Sequence, residues 1–513
     1  MTPKNSDLLL GIDAGTTLIK SVLFDLDGSV VAKAAASVPL EHPKPEWAEQ
    51  DMEEVWRAAV QTIREVMKVA DSLRSNVAAV SVSGQGGGLW LVDKKGQPVR
   101  KAVTWLDGRA RDTIADWQAS GVLKELEDIS GYHLFPGVGP LTLFHWFHRF
   151  EPGALRKAYK NLWAKDWIKF RLTGEIATDE TDPSNGHIEC GQRAFSRELF
   201  SLAGVADYWE LLPPIIPSWQ LIGTVTRTAA EETGLRVGTP VASGAWDVSS
   251  TALGAGCIQD GQALTILGTA GIHLTVASQV SGGSEAPYSV CAHCVPGQWV
   301  VNSMAMTATA NLDWFVRELG RAEAIEAGED MASLYQRLNE KVASVPPGAR
   351  GIVYLPFLQG ERAPFVKPEA TALFFGITAA SKWEDLLRAV YEGVAYSTLH
   401  NYEALEVVTP IREVVLAGGG SKSAVWSQIM ADCTGKRMKI PSGEEFGARG
   451  AAMNAAVAVG VYTDHYAAAA NVKYVRQHTP SSEDAEAYAE RYALYRLLID
   501  SVWKAWERAS LLR

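Results

Sequence analysis

Short apolar runs separated by turns of small and polar residues predict alternating strands and helices over the first hundred residues. Residues 8–13 and 20–25 read as two strands joined by a Gly-Thr turn, and the Asp27-Gly28 turn leads into a third strand. Residues 46–70 carry apolar side chains every three or four positions, which predicts a long helix. Three hairpin-linked strands followed by a helix and a strand indicate an α/β domain and argue against a Rossmann repeat.

The same order of features returns in the second half of the chain. "GQALTILGTAGIHLTV" predicts a strand, a Gly-Thr-Ala-Gly turn and another strand, a counterpart of the turn that begins at Asp13. "VVLAGGGSKSAVWSQIMADCTGKRM" predicts a strand, three glycines and a helix with Ser421 or Ser423 near its N-cap. The C-terminal segment predicts an amphipathic helix with Ser481 at its start. Two Gly-Thr turns in two halves suggest a duplicated phosphate-binding element.

Length and composition predict an ordinary globular protein of two domains. A single hydrophobic core seldom exceeds roughly 250–300 residues, and the chain has 513. We place an N-terminal domain at 1–246, a C-terminal domain at 247–470 and a helical tail at 471–513. Apolar residues make up 47% and charged residues 21%. The net charge of −11 argues against nucleic acid as the main partner.

The sequence also predicts a cytoplasmic protein that does not interact with membranes. It has no run of about 20 apolar residues, and the three leucines near its start are too few for a signal peptide. Five cysteines are an odd, sparse set that suits a reducing compartment. "CAHC", from Cys291 to Cys294, could be half of a zinc site or a redox pair. The chain has no second CxxC or HxxxH, so we interpret it as reduced thiols in or near a strand.

The first Gly-Thr turn has the chemistry of a phosphate site. Backbone N–H groups and threonine hydroxyls can cradle a phosphate, whereas a carboxylate beside it needs an intervening cation such as Mg²⁺. The turn therefore predicts a nucleotide-phosphate and magnesium site formed by Asp13, Thr16, Thr17 and Lys20. The alternative is a hairpin turn with solvated polar residues. The sequence lacks a P-loop, and the glycines at 84–88 precede a hairpin where a dinucleotide site needs a helix.

Ordered motifs over nearly the whole chain are similar to the FGGY family of carbohydrate kinases. They include "GIDAGTTLIKSVLFDLDG", "SGQGGGLWLVD", "TWLDGRA", "KDWIKFRLTGEIATDETDPSN", "GAWDVSSTALGAG", "LGTAG" and "ALFFGITAASKWEDLLRAVYE". The resemblance implies an α/β fold of two actin-like, ribonuclease H-like ATPase domains with a cleft between them. It also implies ATP-dependent phosphorylation of a small sugar or polyol, and it suggests a homodimer.

The resemblance assigns roles to particular residues. Asp13, with Gly15 in the same turn, would lie near Mg²⁺ and the phosphates, and Asp247 would accept the proton of the sugar hydroxyl. The second phosphate-binding turn would be Gly268-Thr269. The adenosine-binding loop would consist of Gly418, Gly419, Gly420 and Ser423. Sugar hydroxyls would be held by Gln85, Trp105, Asp107, Asp179 and Asp247.

Each assignment has a structural alternative. Asp247 could be a helix N-cap. The glycine run at 418–420 could be no more than a helix-entry turn. Asp107 and Arg109 could form a structural ion pair.

The substrate is inferred from the residues after Gln85. Glycerol kinases have Arg-Glu and many D-xylulose kinases have Met-His where this chain has Gly86-Gly87. Glycines leave room, so we expect a four- to six-carbon ketose or polyol, as in the erythritol and L-xylulose kinase branches. The alternatives are a D-xylulose kinase, an actin-like ATPase that binds a protein partner, and a sugar sensor that has lost catalysis.

Overall fold

The chain folds into two compact units, each built from segments that are distant in sequence. The computed structural model describes residues 7–320 and 331–512, so the ends of the predicted domains at 1–6 and 513 lie outside the described residues. Unit 1 comprises Met1–Gln259, Ala277–Val300 and Glu445–Val472, and unit 2 comprises Asp260–Val276, Val301–Glu444 and Lys473–Arg513. The predicted domains are continuous segments that end at residues 246 and 470, and these boundaries stay a prediction.

The strands are mostly three to eight residues long. In chain order they are β1 (Leu8–Ala14), β2 (Leu18–Phe24), β3 (Val30–Ser37), β4 (Glu49–Gln50), β5 (Val77–Gly84), β6 (Trp90–Val92), β7 (Ala102–Val103), β8 (Lys160–Leu162), β9 (Leu221–Thr224), β10 (Pro240–Ala242), β11 (Ala245–Trp246), β12 (Gln262–Leu267), β13 (Gly271–Ala277), β14 (Ser289–Ala292), β15 (Trp299–Ala305), β16 (Val353–Leu355), β17 (Leu373–Phe375), β18 (Glu413–Ala417), β19 (Arg437–Pro441) and β20 (Tyr474–His478).

The helices follow between and after these strands. They are α1 (Met52–Ser72), α2 (Arg111–Ser120), α3 (Val122–Ser130), α4 (Pro140–Phe150), α5 (Pro152–Lys157), α6 (Ala164–Thr173), α7 (Arg197–Leu202), α8 (Arg227–Thr233), α9 (Asp247–Gly254), α10 (Thr309–Leu319), α11 (Met331–Ser344), α12 (Trp383–Glu406), α13 (Ala424–Thr434), α14 (Phe446–Ala458), α15 (His465–Ala469) and α16 (Ala485–Ser510). Within the described ranges, none of them is long and apolar enough to cross a bilayer.

The main sheet of unit 1 has the strand order β3-β2-β1-β5-β10-β9, and β11 also pairs with β5. β1, β2 and β3 form an antiparallel meander, whereas β5 runs parallel to β1, β10 and β11. The meander predicted from the first forty residues is confirmed. Because β1, β5 and β11 are parallel, their carboxyl ends meet at one edge of the sheet.

Helices cover both faces of this sheet. Leu8, Leu10 and Ile12 of β1 pack into a core that includes residues of α1 and α6. The intervening Leu9 packs on the other face against alanines of α14. This alternation follows from the two-residue period of a strand.

The predicted first helix begins later than its apolar spacing indicated. The Asp51 side chain accepts hydrogen bonds from the backbone N–H groups of Glu53 and Glu54, which makes it the N-cap of α1. The two residues before it form β4. At the C-terminus, Ser481 does not start the helix: α16 begins at Ala485, after Asp484 at its N-cap.

Unit 2 repeats the strand arrangement of unit 1. β12 and β13 form an antiparallel hairpin around the turn 268–270, and β12 runs parallel to β18, just as β1 pairs with β2 and β5. β18 continues the sheet in parallel to β19, and β20 closes it antiparallel. The predicted α/β class and the repeat of the Gly-Thr turn are therefore confirmed.

Candidate active site

Asp13 and Asp247 lie at neighbouring carboxyl strand ends in unit 1. Asp13 of β1 is opposite Ser83 of β5, and Ala245 of β11 is opposite that same Ser83 on the other side. Asp247 follows β11 directly as the first residue of α9. Adjacent strands are about 4.8 Å apart, so the two carboxylates, which also interact electrostatically, flank the end of β5.

Asp13 lies between β1, β5 and the start of α14. Ser83 Oγ donates a 3.0 Å hydrogen bond to Asp13 Oδ1. A Cβ on Gly447 would lie 3.2 Å from the Asp13 carboxyl carbon, so glycine lets the first turn of α14 come this close. Burial raises the pKa of Asp13, while Lys20 and the Ser83 hydrogen bond oppose the rise. A cation would stabilise the ionised form of such a carboxylate.

The surroundings of Asp247 also raise its pKa. Burial raises its pKa to about 7, and the negative charge of Asp13 adds to the effect. Trp246 occupies the N-cap position of α9, so Asp247 is in the first helical turn and is not the N-cap. Asp247 therefore changes protonation near neutral pH, where a general base works best.

Thr16 links the first turn to two of the predicted sugar-binding residues. Its Oγ1 donates to Gln85 Oε1 at 2.8 Å and accepts from Trp105 Nε1 at 2.9 Å. Gln85 Nε2 in turn donates to Gln50 Oε1 at 2.8 Å. Gln85 is buried and Trp105 is exposed. The structure thus brings Thr16, Gln85 and Trp105 together and engages the Thr16 hydroxyl in that network.

The other residues of the first turn differ in their accessibility. The Gly15 N–H donates to the Leu18 carbonyl oxygen at 3.1 Å and closes the turn. Thr17 is exposed. Lys20 Nζ lies 3.0 Å from Glu445 Oε2. The turn is therefore open at Thr17, and the Lys20 charge is paired.

The carboxylate of Asp107 accepts hydrogen bonds from Arg109 and from the protein backbone. Its Oδ1 accepts from the Arg109 backbone N–H and Nε at 2.9 and 2.8 Å. Its Oδ2 accepts from the Ala48 N–H and Arg109 Nη2 at 2.7 and 2.9 Å. Both side chains are fully buried. A carboxylate oxygen has about two acceptor sites, so this geometry favours the structural ion pair and leaves no acceptor for a sugar.

The glycines after Gln85 do not leave a vacant space. A Cβ added to Gly86 would lie 2.5 Å from Trp246 Nε1 and 2.7 Å from Asn185 Nδ2. Gly88 has a positive φ of 80°, and a Cβ there would lie 2.3 Å from the Val103 carbonyl oxygen. Trp246 and Asn185 fill the room that the sequence interpretation assigned to a larger sugar. The argument from these glycines to a larger substrate is therefore wrong.

The cysteine pair gives no metal geometry. Cys291 lies in β14 and Cys294 follows it; both are buried, and neither forms a disulfide bond. Over residues 7–320 and 331–512, the structure contains no group of three or more His, Cys, Asp or Glu side chains that could hold a metal ion. Asp13 remains the candidate carboxylate for Mg²⁺, an ion that takes much of its coordination from phosphate and water.

In unit 2, hydrogen bonds from the start of α10 fix the Gly268-Thr269 turn, and part of the turn is exposed. The N–H groups of Thr309 and Ala308 donate to the Gly268 and Thr269 carbonyl oxygens at 2.8 and 2.7 Å. A Cβ on Gly268 would have one neighbour within 4 Å, the Ala270 carbonyl oxygen at 3.5 Å, and Thr269 is exposed. The turn has room for an anion at its exposed side.

A cavity of about 880 Å³ lies beside the second glycine run, and Gly419, Gly420 and Ser423 line it. Gly418, with φ 86°, precedes them, and a Cβ there would lie 2.7 Å from the Leu267 carbonyl oxygen. The cavity therefore adjoins the Gly268 turn within unit 2. Ser423 is the N-cap of α13: its Oγ accepts from the Trp426 N–H. It is thus a helix-entry residue that also lines a cavity.

Sequence reasoning missed most of the residues that line this cavity. Most of them come from four helices, α10 to α13, and include Leu312, Tyr335, Asn339, Tyr391 and Trp426. The rings of Tyr391 and Trp426 pack with centroids 4.4 Å apart. Four separate helices contribute, so a local motif could not group them, although Tyr391 is part of the quoted "LLRAVYE" segment.

Family comparisons cover nearly the whole chain. The N-terminal domain of the FGGY family of carbohydrate kinases matches residues 8–254, and the C-terminal domain of that family matches residues 263–459.

Individual relatives match over similar lengths. A probable L-xylulose kinase of Haemophilus influenzae is 31% identical over 87% of this chain and 89% of its own. An L-xylulose/3-keto-L-gulonate kinase of Escherichia coli is 30% identical over 96% of each chain. An erythritol kinase of Brucella abortus is 30% identical over 98% of each. The crystal structure of xylulose kinase from Rhodospirillum rubrum superimposes with a TM-score of 0.88 at 27% identity, over 98% of this chain and 100% of that one.

Proposed function

The chain belongs to the FGGY family of carbohydrate kinases, and we propose that it phosphorylates a hydroxyl group of a four- to six-carbon ketose or polyol of the L-xylulose or erythritol type. Kinases of this family use ATP. The observation that supports the proposal most is the pair formed by Asp13 and Asp247. Two electrostatically coupled carboxylates flank one strand end, as a phosphate-side group and a hydroxyl-side base would.

We assign the role of general base to Asp247. Phosphoryl transfer passes through a loose transition state, so the protein contributes mainly alignment and charge stabilisation. With a pKa near 7, the Asp247 carboxylate is basic enough to accept a hydroxyl proton and is largely ionised above neutral pH. Its place at the start of α9 fixes where that proton is taken.

We assign Asp13 as the carboxylate that would hold Mg²⁺. The residues fit this ion, because Mg²⁺ keeps several waters and needs one or two protein carboxylates in addition to phosphate oxygens. Burial disfavours an unpartnered charge on Asp13, and a cation would relieve that cost. When bound, Mg²⁺ supplies positive charge that neutralises the phosphates.

The nucleotide is proposed to occupy unit 2. The cavity of about 880 Å³ falls within the size range of cofactor pockets, and Leu312, Tyr391 and Trp426 contribute apolar surface to its lining. Gly419 and Gly420 let the backbone approach the ribose. We assign the phosphates to the neighbouring Gly268-Thr269 turn, whose exposed side has room for an anion.

The sugar is proposed to contact unit 1 at Gln85 and Trp105, and Trp246 is added to the set because it lies against Gly86. Asp107 is left out because its oxygens are filled. The proposed substrate class is supported by the names of two L-xylulose kinases and one erythritol kinase among the relatives. A D-xylulose kinase is the alternative, supported by the likeness to a xylulose kinase structure.

Coupled measurement of ADP release with L-xylulose, erythritol, D-xylulose, 3-keto-L-gulonate and glycerol tests this proposal. We expect kcat/KM for L-xylulose or erythritol to exceed that for glycerol by about tenfold or more, since an absent hydroxyl leaves polar groups of the site unpaired. Best turnover on glycerol would contradict the proposed substrate class.

The same assay separates the other functions. ATP turnover that no sugar or polyol changes would support an ATPase that acts with a protein partner. Sugar binding without any turnover would support a sensor. A cytoplasmic location and a homodimer stay predictions.

A further inference from the structure

A cluster of charged side chains lies fully buried beneath the end of β5. Lys165 Nζ lies 2.8, 2.7 and 2.6 Å from carboxylate oxygens of Asp166, Asp179 and Asp182, and Lys169 Nζ lies 2.8 Å from Asp166. All five side chains have no exposed surface. We call these five residues the buried charge cluster.

The buried charge cluster is balanced when one of its carboxyl groups is neutral. It contains two lysines and three aspartates. Burial raises the pKa of Asp182 well above its usual value, although Lys165 opposes the rise. A protonated Asp182 leaves two cations facing two anions. Buried charges are costly unless paired in this way, so the cluster holds its members in one arrangement.

A chain of hydrogen bonds runs from the cluster to the residue before Asp247. Asp179 Oδ2 accepts from both the backbone N–H, at 2.8 Å, and the hydroxyl of Thr181. Because that hydroxyl has given its hydrogen to Asp179, its oxygen accepts from the Trp246 N–H at 2.7 Å. The Trp246 N–H therefore donates to Thr181, and the Thr181 hydroxyl donates to Asp179 of the buried charge cluster.

Apart from the hydrogen bond to Thr181, few local features fix the position of the Trp246 backbone. Trp246 is the N-cap of α9, it makes no side-chain capping hydrogen bond, and β11 contains only two residues. Thr181 therefore anchors the main chain at the point where α9 and Asp247 begin. Asp179, which the sequence interpretation placed against the sugar, serves this anchor and is fully buried.

We propose that Thr181 is a positioning residue for the phosphoryl transfer: held by Asp179 and the buried charge cluster, its hydroxyl fixes the Trp246 backbone and so aims the Asp247 carboxylate. This inference rests on the proposed role of Asp247 as the base. Displacement of a reacting group by about 1 Å costs on the order of a hundredfold in rate. The hydroxyl of Thr181 should therefore matter for turnover more than its methyl group.

The test compares Thr181→Ala, Thr181→Ser and Thr181→Val in the full-length enzyme. Thr62→Val, in α1, is the matched control, because Thr62 is equally buried and its hydroxyl is also hydrogen-bonded. Rates are expressed per nucleotide-binding site counted by calorimetry, which corrects for unfolded protein. We expect Thr181→Val and Thr181→Ala to lose about ten- to a hundredfold in kcat with less than about threefold change in the sugar KM. Thr181→Ser should regain kcat to within about threefold of the native enzyme.

Thr181→Ala and Thr181→Ser differ by one hydroxyl group. Their comparison tests the role of that hydroxyl even if Thr181→Val does not fold. Equal kcat per site for these two variants, or a loss in Thr62→Val as large as in Thr181→Val, would overturn the inference. Asp247→Asn is measured alongside. If Asp247→Asn keeps native turnover, the proposed base is wrong and the positioning role falls with it. If Asp247→Asn is inactive while Thr181→Ala equals Thr181→Ser, the base stands and only the positioning role fails.

Discussion

Three carboxylates of unit 1 show how surroundings separate roles at the scale of single residues. Asp107 is neutralised by Arg109 and has four hydrogen-bond donors. Asp13 has one hydroxyl donor and the start of α14 beside it. Burial of the Asp247 carboxyl group and the nearby charge of Asp13 raise the pKa of Asp247 to about 7. The side chains are chemically identical, so only their neighbours distinguish an ion pair, a proposed cation ligand and a proposed base.

The pKa of Asp247 predicts the pH dependence of the enzyme. A base must be deprotonated to act, so kcat/KM should rise with pH through about 7 and then level off. Below that pH, the rate should fall about tenfold per unit. Initial rates between about pH 5 and about pH 8 measure this directly, and a flat profile would contradict the assignment.

Asp247→Asn is the control for that profile. It keeps the size of the side chain but removes the base, so we expect kcat to fall about 10²–10⁴-fold. Whatever rate remains should lack the acid limb. If the rate of Asp247→Asn still falls at acid pH with the same midpoint, the group that titrates is another one, such as the phosphates of the nucleotide.

At the scale of elements, glycines allow α14 to pack closely on β1 and α9. A Cβ on Gly11 of β1 would lie 1.9 Å from the Ala448 carbonyl oxygen, and one on Gly254 of α9 would lie 2.0 Å from that of Phe446. A Cβ on Gly450 of α14 would lie 1.9 Å from the Ser250 carbonyl oxygen. These obstacles are backbone atoms, which cannot turn away as a side chain can. The close packing places the first turn of α14 over Asp13.

Gly450→Ala should therefore destabilise unit 1. Replacing a helical glycine with alanine normally stabilises a helix by about 1 kcal/mol, but here α14 must move away from α9. Overpacking of this kind costs about 1–3 kcal/mol, so the unfolding midpoint should fall. Gly153→Ala in α5 is the matched control, because a Cβ there meets nothing closer than 3.8 Å. An equal or higher midpoint for Gly450→Ala would show that the helices can separate without cost.

At the scale of the whole molecule, the predicted machinery is divided between the two units. Asp13, Gln85, Trp105 and Asp247 belong to unit 1, whereas the Gly268 turn and the cavity beside Gly419 belong to unit 2. Each unit carries its own sheet with a Gly-Thr turn between its first two strands. This division predicts that nucleotide binding and proton transfer can be impaired separately.

Gly419→Leu and Asp247→Asn test this separation. A Cβ on Gly419 meets nothing within 4 Å, so Gly419→Leu should fold normally while its side chain crowds the nucleotide. We expect about a tenfold or greater rise in the ATP Kd for Gly419→Leu, equivalent to about 1.4 kcal/mol, with the sugar KM unchanged. Asp247→Asn should show the reverse, with native ATP affinity and lost turnover. Calorimetry and steady-state rates on both variants check the pattern, and weakened ATP binding in Asp247→Asn would contradict it.

The sequence by itself determined the features that depend on neighbouring residues. Apolar spacing and turn residues predicted the meander of β1 to β3, the Gly-Thr turns and a helix N-cap at Ser421 or Ser423, because strands, turns and caps are formed by local contacts. The structure places the cap at Ser423. Ordered motifs predicted the kinase family for the same reason, since each motif is contiguous. The helix starts at Met52 and Ala485 were missed by a few residues: the Asp51 side chain caps the first helix, and the second begins after Asp484, which makes no side-chain capping hydrogen bond.

Only the tertiary structure decided what distant residues do to one another. Gly86 is crowded by Trp246 and Asn185, which lie about a hundred or more positions away, so the sequence could not show that its space is filled. Asp107 loses its free acceptors partly to the Ala48 backbone. The cavity beside Gly419, the interaction of Asp13 with Asp247 and the Thr181 anchor likewise join segments that are far apart in sequence. Burial and pairing are properties of the packed chain, and they turn a list of candidate residues into acids, bases and ion pairs.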